Sequence, residues 1–137
     1  MNYLLDTNVC IAVLNETSPQ IEARLLKELR AKSILSVSSV SSFELWYGVA
    51  KSARRLSNTQ KLMAFLGSWV NLLSFDEEDA RAAGEIRAEL ETVGRPLGQY
   101  DLLIAGQALR HKMTLVTANT REFERIKTLS WEDWSKL

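Results

Sequence analysis

Hydrophobic positions along the chain fall into short uninterrupted runs that alternate with stretches at helical spacing, the pattern of a βαβ-type domain. The first run, Tyr3-Leu4-Leu5, is apolar on both faces, as an inner parallel strand covered by helices on each side must be, and it stops abruptly at Asp6-Thr7-Asn8. A short helix is expected over 9–14 and a second over 20–32, with Ile21, Leu25, Leu26 and Leu29 on one face. A second strand follows over 34–37. Ser38, Ser39 and Ser41 interrupt it before helical spacing resumes over 43–52 with Leu45, Trp46, Val49 and Ala50. Leu62, Phe65, Leu66 and Trp69 stripe a further helix over 59–70. Then come a third strand over 72–75, a long helix over 77–92 closed by Gly94-Arg95-Pro96, and a nearly uninterrupted apolar helix over 101–111. A fourth strand is expected over 114–117 and a fifth near Leu129, ahead of Trp131-Glu132-Asp133-Trp134. No linker or repeat divides these segments, so the chain reads as a single α/β domain over 1–137: three layers around a central parallel sheet of four to five strands.

Composition narrows the function classes only slightly. With 137 residues, 46% hydrophobic and 25% charged, the chain has the make-up of one globular domain with a proper core. Seventeen basic residues balance seventeen acidic ones, so no global positive field draws it to nucleic acid, and any such contact needs a local patch. Lys51, Arg54, Arg55 and Arg95 are the candidates for one, against the alternative of ordinary solvated charges. The single cysteine, Cys10, lies in an apolar stretch and reads as a small buried hydrophobe, which suits a reducing cytoplasm. The sequence predicts neither a signal peptide nor a membrane span.

Three acids stand where their neighbours argue against casual solvent exposure: Asp6 after the first strand, Glu44 in Phe43-Glu44-Leu45-Trp46, and Asp101 in Tyr100-Asp101-Leu102-Leu103. Each has a purely structural alternative. Asp6 can cap the helix that follows it, Ser41 and Glu44 have the spacing of a capping box, and Asp101 can favour the first turn of its helix through the dipole. Taken together, one strand end and two helix N-termini belong to the same rim of an open parallel sheet, where ligands bind. Carboxylates gathered there repel one another, and a divalent cation relieves that repulsion. Oxygen-only ligands suit Mg²⁺ or Mn²⁺ rather than zinc. The only histidine, His111, falls at a helix C-terminus and reads as a cap or surface residue, which leaves hydrolysis to metal-activated water.

The stretches "YLLDTNVCIAVL", "VSSVSSFELWYGVAKS", "PLGQYDLLIAGQAL", "TLVTANTREFERI" and "LSWEDW", spaced through nearly the whole chain, resemble the PIN domain, and within it the VapC-type toxin ribonucleases of toxin-antitoxin pairs. The resemblance implies a PIN-like α/β/α domain that cleaves RNA by Mg²⁺-assisted attack of water, with Mn²⁺ as a substitute. Asp6, Glu44 and Asp101 then resemble the acids of the metal site, Asp6 and Asp101 holding the principal ion and Glu44 meeting it directly or through water. Thr7 resembles the small polar residue beside the first acid. The fourth acidic position is open between Glu122, which would position a second ion or the nucleophile, and Asn119, which stands where many relatives carry Asp. The implied substrate is structured RNA, with transfer RNA the leading class and initiator tRNA an instance, so that cleavage inhibits translation. The implied partners are a cognate VapB-type antitoxin and a second copy of the chain, in a homodimer and a toxin-antitoxin hetero-oligomer that meets operator DNA only through the antitoxin. No membrane is involved, and the expected location is the cytoplasm. The stripe from Leu62 to Trp69 offers part of an antitoxin interface, core burial being its simpler role; Trp46 and Tyr47 offer rings for stacking, packing being the simpler role for Trp46.

Two rival readings compete. A haloacid-dehalogenase-like phosphatase also begins with an apolar strand ending in Asp, but its chemistry wants a second acid two residues on, where this chain has Asn8. A catalytically inactive PIN-like module that only binds RNA or protein would use the same acids as caps.

Overall fold

The computed structural model describes residues 1–136. Its centre is a five-stranded, wholly parallel sheet in the order β3-β2-β1-β4-β5, built from β1 (Asn2–Leu5), β2 (Ile34–Ser38), β3 (Asn71–Leu73), β4 (Thr114–Val116) and β5 (Trp131–Glu132). β1 is the middle strand, with Tyr3 opposite Leu35 on one side and Thr114 on the other. This position explains why the first apolar run has no polar face. Tyr3 and Leu5 point into one core with Leu35, Val37 and Leu62, while Leu4 points into the other with Leu115, Ile104 and Phe123, as the two-residue period of a strand requires.

Helices cover both faces. On the first core pack α1 (Thr7–Asn15), α2 (Pro19–Arg30), α3 (Ser39–Ala50) and α4 (Arg55–Leu66), through Val9, Ile21, Leu25, Leu45 and Phe65 among others. On the second pack α5 (Glu77–Thr92), α6 (Gln99–Arg110) and the single turn α7 (Thr120–Phe123), through Ile86, Leu90, Leu102 and Phe123. The stripe at Leu62, Phe65, Leu66 and Trp69 packs into the first core, with Leu62 also reaching the wall of a groove between α1, α3 and α4. Cys10 is fully buried, and that burial pushes its thiol pKa far up, as expected of an inert hydrophobe.

The helix starts differ from expectation where serines and polar residues mislead. Ser38 is both the last residue of β2 and the N-cap of α3, its hydroxyl accepting from Val40 N at 3.0 Å, so strand passes to helix with no intervening loop. Ser39 and Ser41 therefore lie inside α3 rather than breaking the chain, and the expected Ser41–Glu44 capping box does not form. α4 runs from Arg55 to Leu66, earlier than its apolar stripe suggested. The fifth strand lies at Trp131–Glu132, just beyond the expected Leu129.

Two anchors fix the parts that frame the sheet's carboxyl edge. α5 and α6 approach so closely at Gly106 that a Cβ there would stand 2.7 Å from the Ala83 backbone. Buried Asp79 accepts from Gln107 Nε2 at 3.2 Å and lies 3.2 Å from Arg110 Nη1, which clamps the same pair. At the far edge, Arg24 bridges Glu28 at 2.7 Å and Glu132 at 2.8 Å and lies over the Trp134 ring, tying β5 to α2. The closing segment "LSWEDW" thus supplies a strand and its fastening.

Candidate active site

The chain leaves β1 for β2 and β3 on one side and later returns to place β4 on the other, so the strand order reverses beside β1. A crevice opens outside the carboxyl ends of strands at such a point. Asp6 stands there, one residue past β1, its backbone N–H extending the ladder to Val116 O at 3.0 Å. Its Oδ1 accepts from Val9 N at 2.8 Å, so the capping role expected of it is real. The carboxylate also accepts from the Thr117 hydroxyl, just past β4, whose oxygen in turn accepts from Asn119 N at 2.9 Å. Asp6 is only 4% exposed. Burial, assisted by the charges of Asp101 and Glu44, pushes its pKa up to about 6 despite the opposing bonds from Thr117 and Val9.

Glu44 enters the crevice from the second turn of α3. Instead of returning to its own helix end, its Oε1 accepts from the Thr7 hydroxyl at 2.7 Å, with the buried Ser41 hydroxyl 3.0 Å from the same threonine oxygen. This short chain joins α1 to α3 and aims Glu44 toward Asp6. Asp101 arrives on the first turn of α6, after Gly98 as N-cap; it is half-buried, and its pKa is raised by burial and by the charges of Glu44 and Glu122. α6 runs antiparallel to the strands, which brings its N-terminus to the carboxyl edge. His111, at the other end of this twelve-residue helix, is about 15 Å along the axis from Asp101 and 3.2 Å from Asp79 Oδ1, outside the site.

Asp6, Glu44, Asp101 and Glu122 therefore share one field, each raising the pKa of at least one other or being raised by it. Glu122 is the outermost of the four: on α7, its Oε2 lies 3.1 Å from Arg125 Nη1, and the same Arg125 donates to Pro96 O at 2.7 Å in the loop leading to α6. Asn119 is the N-cap of α7 and makes no side-chain capping bond. Among the described residues no three carboxylates form a ready-made cage for an ion. Mg²⁺ does not need one, since it binds through one or two carboxylates and keeps several waters. All-oxygen donors that repel one another without a cation fit such an ion. Thr117 and Arg125 belong to the surroundings of the site although the sequence did not single them out, and Ser41, expected as a cap, enters as a partner of Thr7 instead; only the polar residue ending the apolar run Thr114-Leu115-Val116 hinted at Thr117.

Lys51, Arg54, Arg55 and Arg95 are all exposed, and Lys51 lines a cleft with Thr7, Glu44 and Tyr100. Trp46, expected to pack, is exposed on α3 with Tyr47.

Residues 3–129 match the model of the PIN domain family. The chain is 40% identical over 136 residues to "Ribonuclease VapC2" of Rickettsia felis, covering 99% of this chain and 100% of that protein. It is 38% identical over 135 residues to "tRNA(fMet)-specific endonuclease VapC" of Shigella flexneri, covering 98% and 99% of the two chains. The crystal structure of VapBC2 from Rickettsia felis bound to a DNA fragment from their promoter contains a chain that superposes with a TM-score of 0.91 at 37% identity, over 98% of this chain and 99% of that one.

Proposed function

From the premise that this chain belongs to the PIN-domain family and, within it, to the VapC toxin ribonucleases, we propose that Asp6, Glu44, Asp101 and Glu122 hold a divalent cation and hydrolyse a phosphodiester of transfer RNA. The observation that carries this reading is the convergence of acids at the switch point of the sheet, where burial first, and then the charges of Asp101 and Glu44, push the Asp6 pKa up to about 6, and Glu44 and Glu122 act in the same way on Asp101. A PIN-domain match leaves no place for the phosphatase alternative.

Mg²⁺, or Mn²⁺ in its place, would be held by Asp6 and Asp101, with Glu44 reaching it directly or through water. When bound, the cation activates water and neutralises phosphoryl oxygens. The protein's own contribution is orientation. Thr7 fixes Glu44 by the 2.7 Å bond, Thr117 and Val9 fix Asp6, and the clamp between α5 and α6 fixes the turn that carries Asp101. Arg125 holds Glu122 at the outer edge, where this acid would position the nucleophile or a second ion, with Asn119 beside it offering an amide oxygen. The name of the Shigella relative favours initiator tRNA as the substrate, whose cleavage would inhibit translation. The VapBC complex on promoter DNA favours a VapB-type antitoxin as partner, with operator DNA reached through it; a homodimer is the toxin assembly that membership of the VapC family implies. Among the described residues no helix is long and apolar enough to cross a membrane, in keeping with a cytoplasmic place of action.

The test is incubation of the antitoxin-free chain with total tRNA in Mg²⁺, in Mn²⁺ and in EDTA, with cleavage sites mapped by end sequencing. Discrete metal-dependent cuts by wild type, absent from a folded Asp101→Asn variant, are the expected result. Equal cutting by both would refute the assignment of the acids.

A further inference from the structure

Phe43 immediately precedes Glu44, and Tyr100 immediately precedes Asp101. Because the two acids converge on one crevice, their neighbours are brought together on its open side: the Phe43 and Tyr100 ring centroids lie 5.7 Å apart at an interplanar angle of 54°. Both rings are exposed, 56% for Phe43 and 43% for Tyr100, an unusual cost for two aromatic residues that a tighter α3–α6 contact would have removed. Phe43 and Tyr47 on α3 and Lys51, the αR residue that caps its C-terminus, are four residues apart and so form a stripe along one face. Tyr47 is exposed, and Lys51 Nζ lies 4.7 Å from its ring centroid. All four side chains line a single cleft of about 580 Å³ that reaches Thr7 and Glu44.

We propose that Phe43 and Tyr100 form a platform on which an unpaired RNA base stacks beside the acid cluster, with Lys51 meeting the phosphate of an adjoining nucleotide. The inference rests on the ribonuclease reading of the acids and adds to it the chemistry that holds the substrate. Aromatic faces alternating with a cation match the alternation of base and phosphate along a single strand. A peptide partner fits the neighbouring groove better, where Ile11, Leu14, Leu45, Val49 and Leu62 give an aliphatic lining. Zero net charge sharpens the point: phosphate contacts must come from local cations, and Lys51 is the basic residue in the cleft with Glu44. The tilt of the two rings lets a base lie on one face while the other ring closes its edge.

The test uses an RNA hairpin carrying 2-aminopurine at each loop position in turn, bound in EDTA so that no strand is cut. Wild type quenches the fluorescence of at least one position. Phe43→Leu and Tyr100→Leu, which keep apolar bulk without a π face, each weaken binding about 10-fold and abolish the quench, whereas Tyr100→Phe retains both. In Mg²⁺ the same leucine variants raise KM for tRNA and leave kcat little changed. Thermal unfolding of each variant controls for folding. Unchanged affinity and quench in both leucine variants would overturn the platform, as would variants that bind RNA normally but shift the sedimentation of the dimer or release the antitoxin. Failure of the ribonuclease reading looks different: wild type cuts no RNA in any metal, yet the quench and its loss in the variants persist.

Discussion

Asp6 carries a conflict between its local and its collective surroundings. The helix N–H and the Thr117 hydroxyl favour its charge, while burial and two neighbouring acids oppose it, and the opposition prevails. Its folded pKa of about 6 lies above the unfolded value of roughly 3.9, so the folded state binds more protons between them, and stability falls as pH rises through that window. Asp6→Asn keeps a capping oxygen and removes the charge. In EDTA at neutral pH this variant should therefore be more stable than wild type by roughly 1–3 kcal/mol in urea unfolding, the difference vanishing in acid below about pH 4. Added Mn²⁺ should raise the Tm of wild type and leave the variant unmoved. Thr7 acts through Glu44: Thr7→Val should slow RNA cleavage by about 10-fold while costing no more than about 1 kcal/mol of stability, read by single-turnover kinetics beside thermal unfolding. Asp6 and Asp101 were legible in the sequence because a carboxylate beside an apolar run is conspicuous. Glu44 was harder, since its spacing from Ser41 fits a capping box, and only the bond to Thr7, 37 residues away, shows that its side chain leaves its own helix end. Thr117 was illegible as a partner of Asp6, because that contact depends on which strands are neighbours.

Elements were legible to the degree that apolar periodicity marks them. The span of α5 was read to the residue, its start fixed by Asp76 and Asp79, which form a capping box in the structure. α3 began earlier than expected because a serine can end a strand and cap a helix at once, and α7 escaped notice because one turn has no periodicity. Packing between elements was not legible at all. Nothing local marks Gly106 as the point where α5 and α6 touch, yet a methyl group there would meet the Ala83 backbone at 2.7 Å. Gly106→Ala should destabilise the fold by about 1–3 kcal/mol, with the loss seen in chemical unfolding, because neither helix backbone can yield without displacing Asp101. A lower midpoint together with weakened metal binding is the expected pair of results.

At the scale of the molecule, four acids separated by as many as 116 positions come within one another's electrostatic reach because the strand order places β4 beside β1 and two helices antiparallel to them. The alternation of strands and helices made a parallel α/β sheet predictable, and the likeness of five stretches to PIN domains supplied the site; the order of the strands became visible only in the structure. The account depends on the acids acting together on a cation. The measurement that tests this most directly is calorimetric titration of Mn²⁺ into the folded wild type, Asp6→Asn, Asp101→Asn and Glu44→Gln proteins at neutral pH. Binding by wild type, weakened at least about 10-fold in both asparagine variants and less in Glu44→Gln, is the predicted result. Equal binding by all four proteins, or none by wild type, would contradict it.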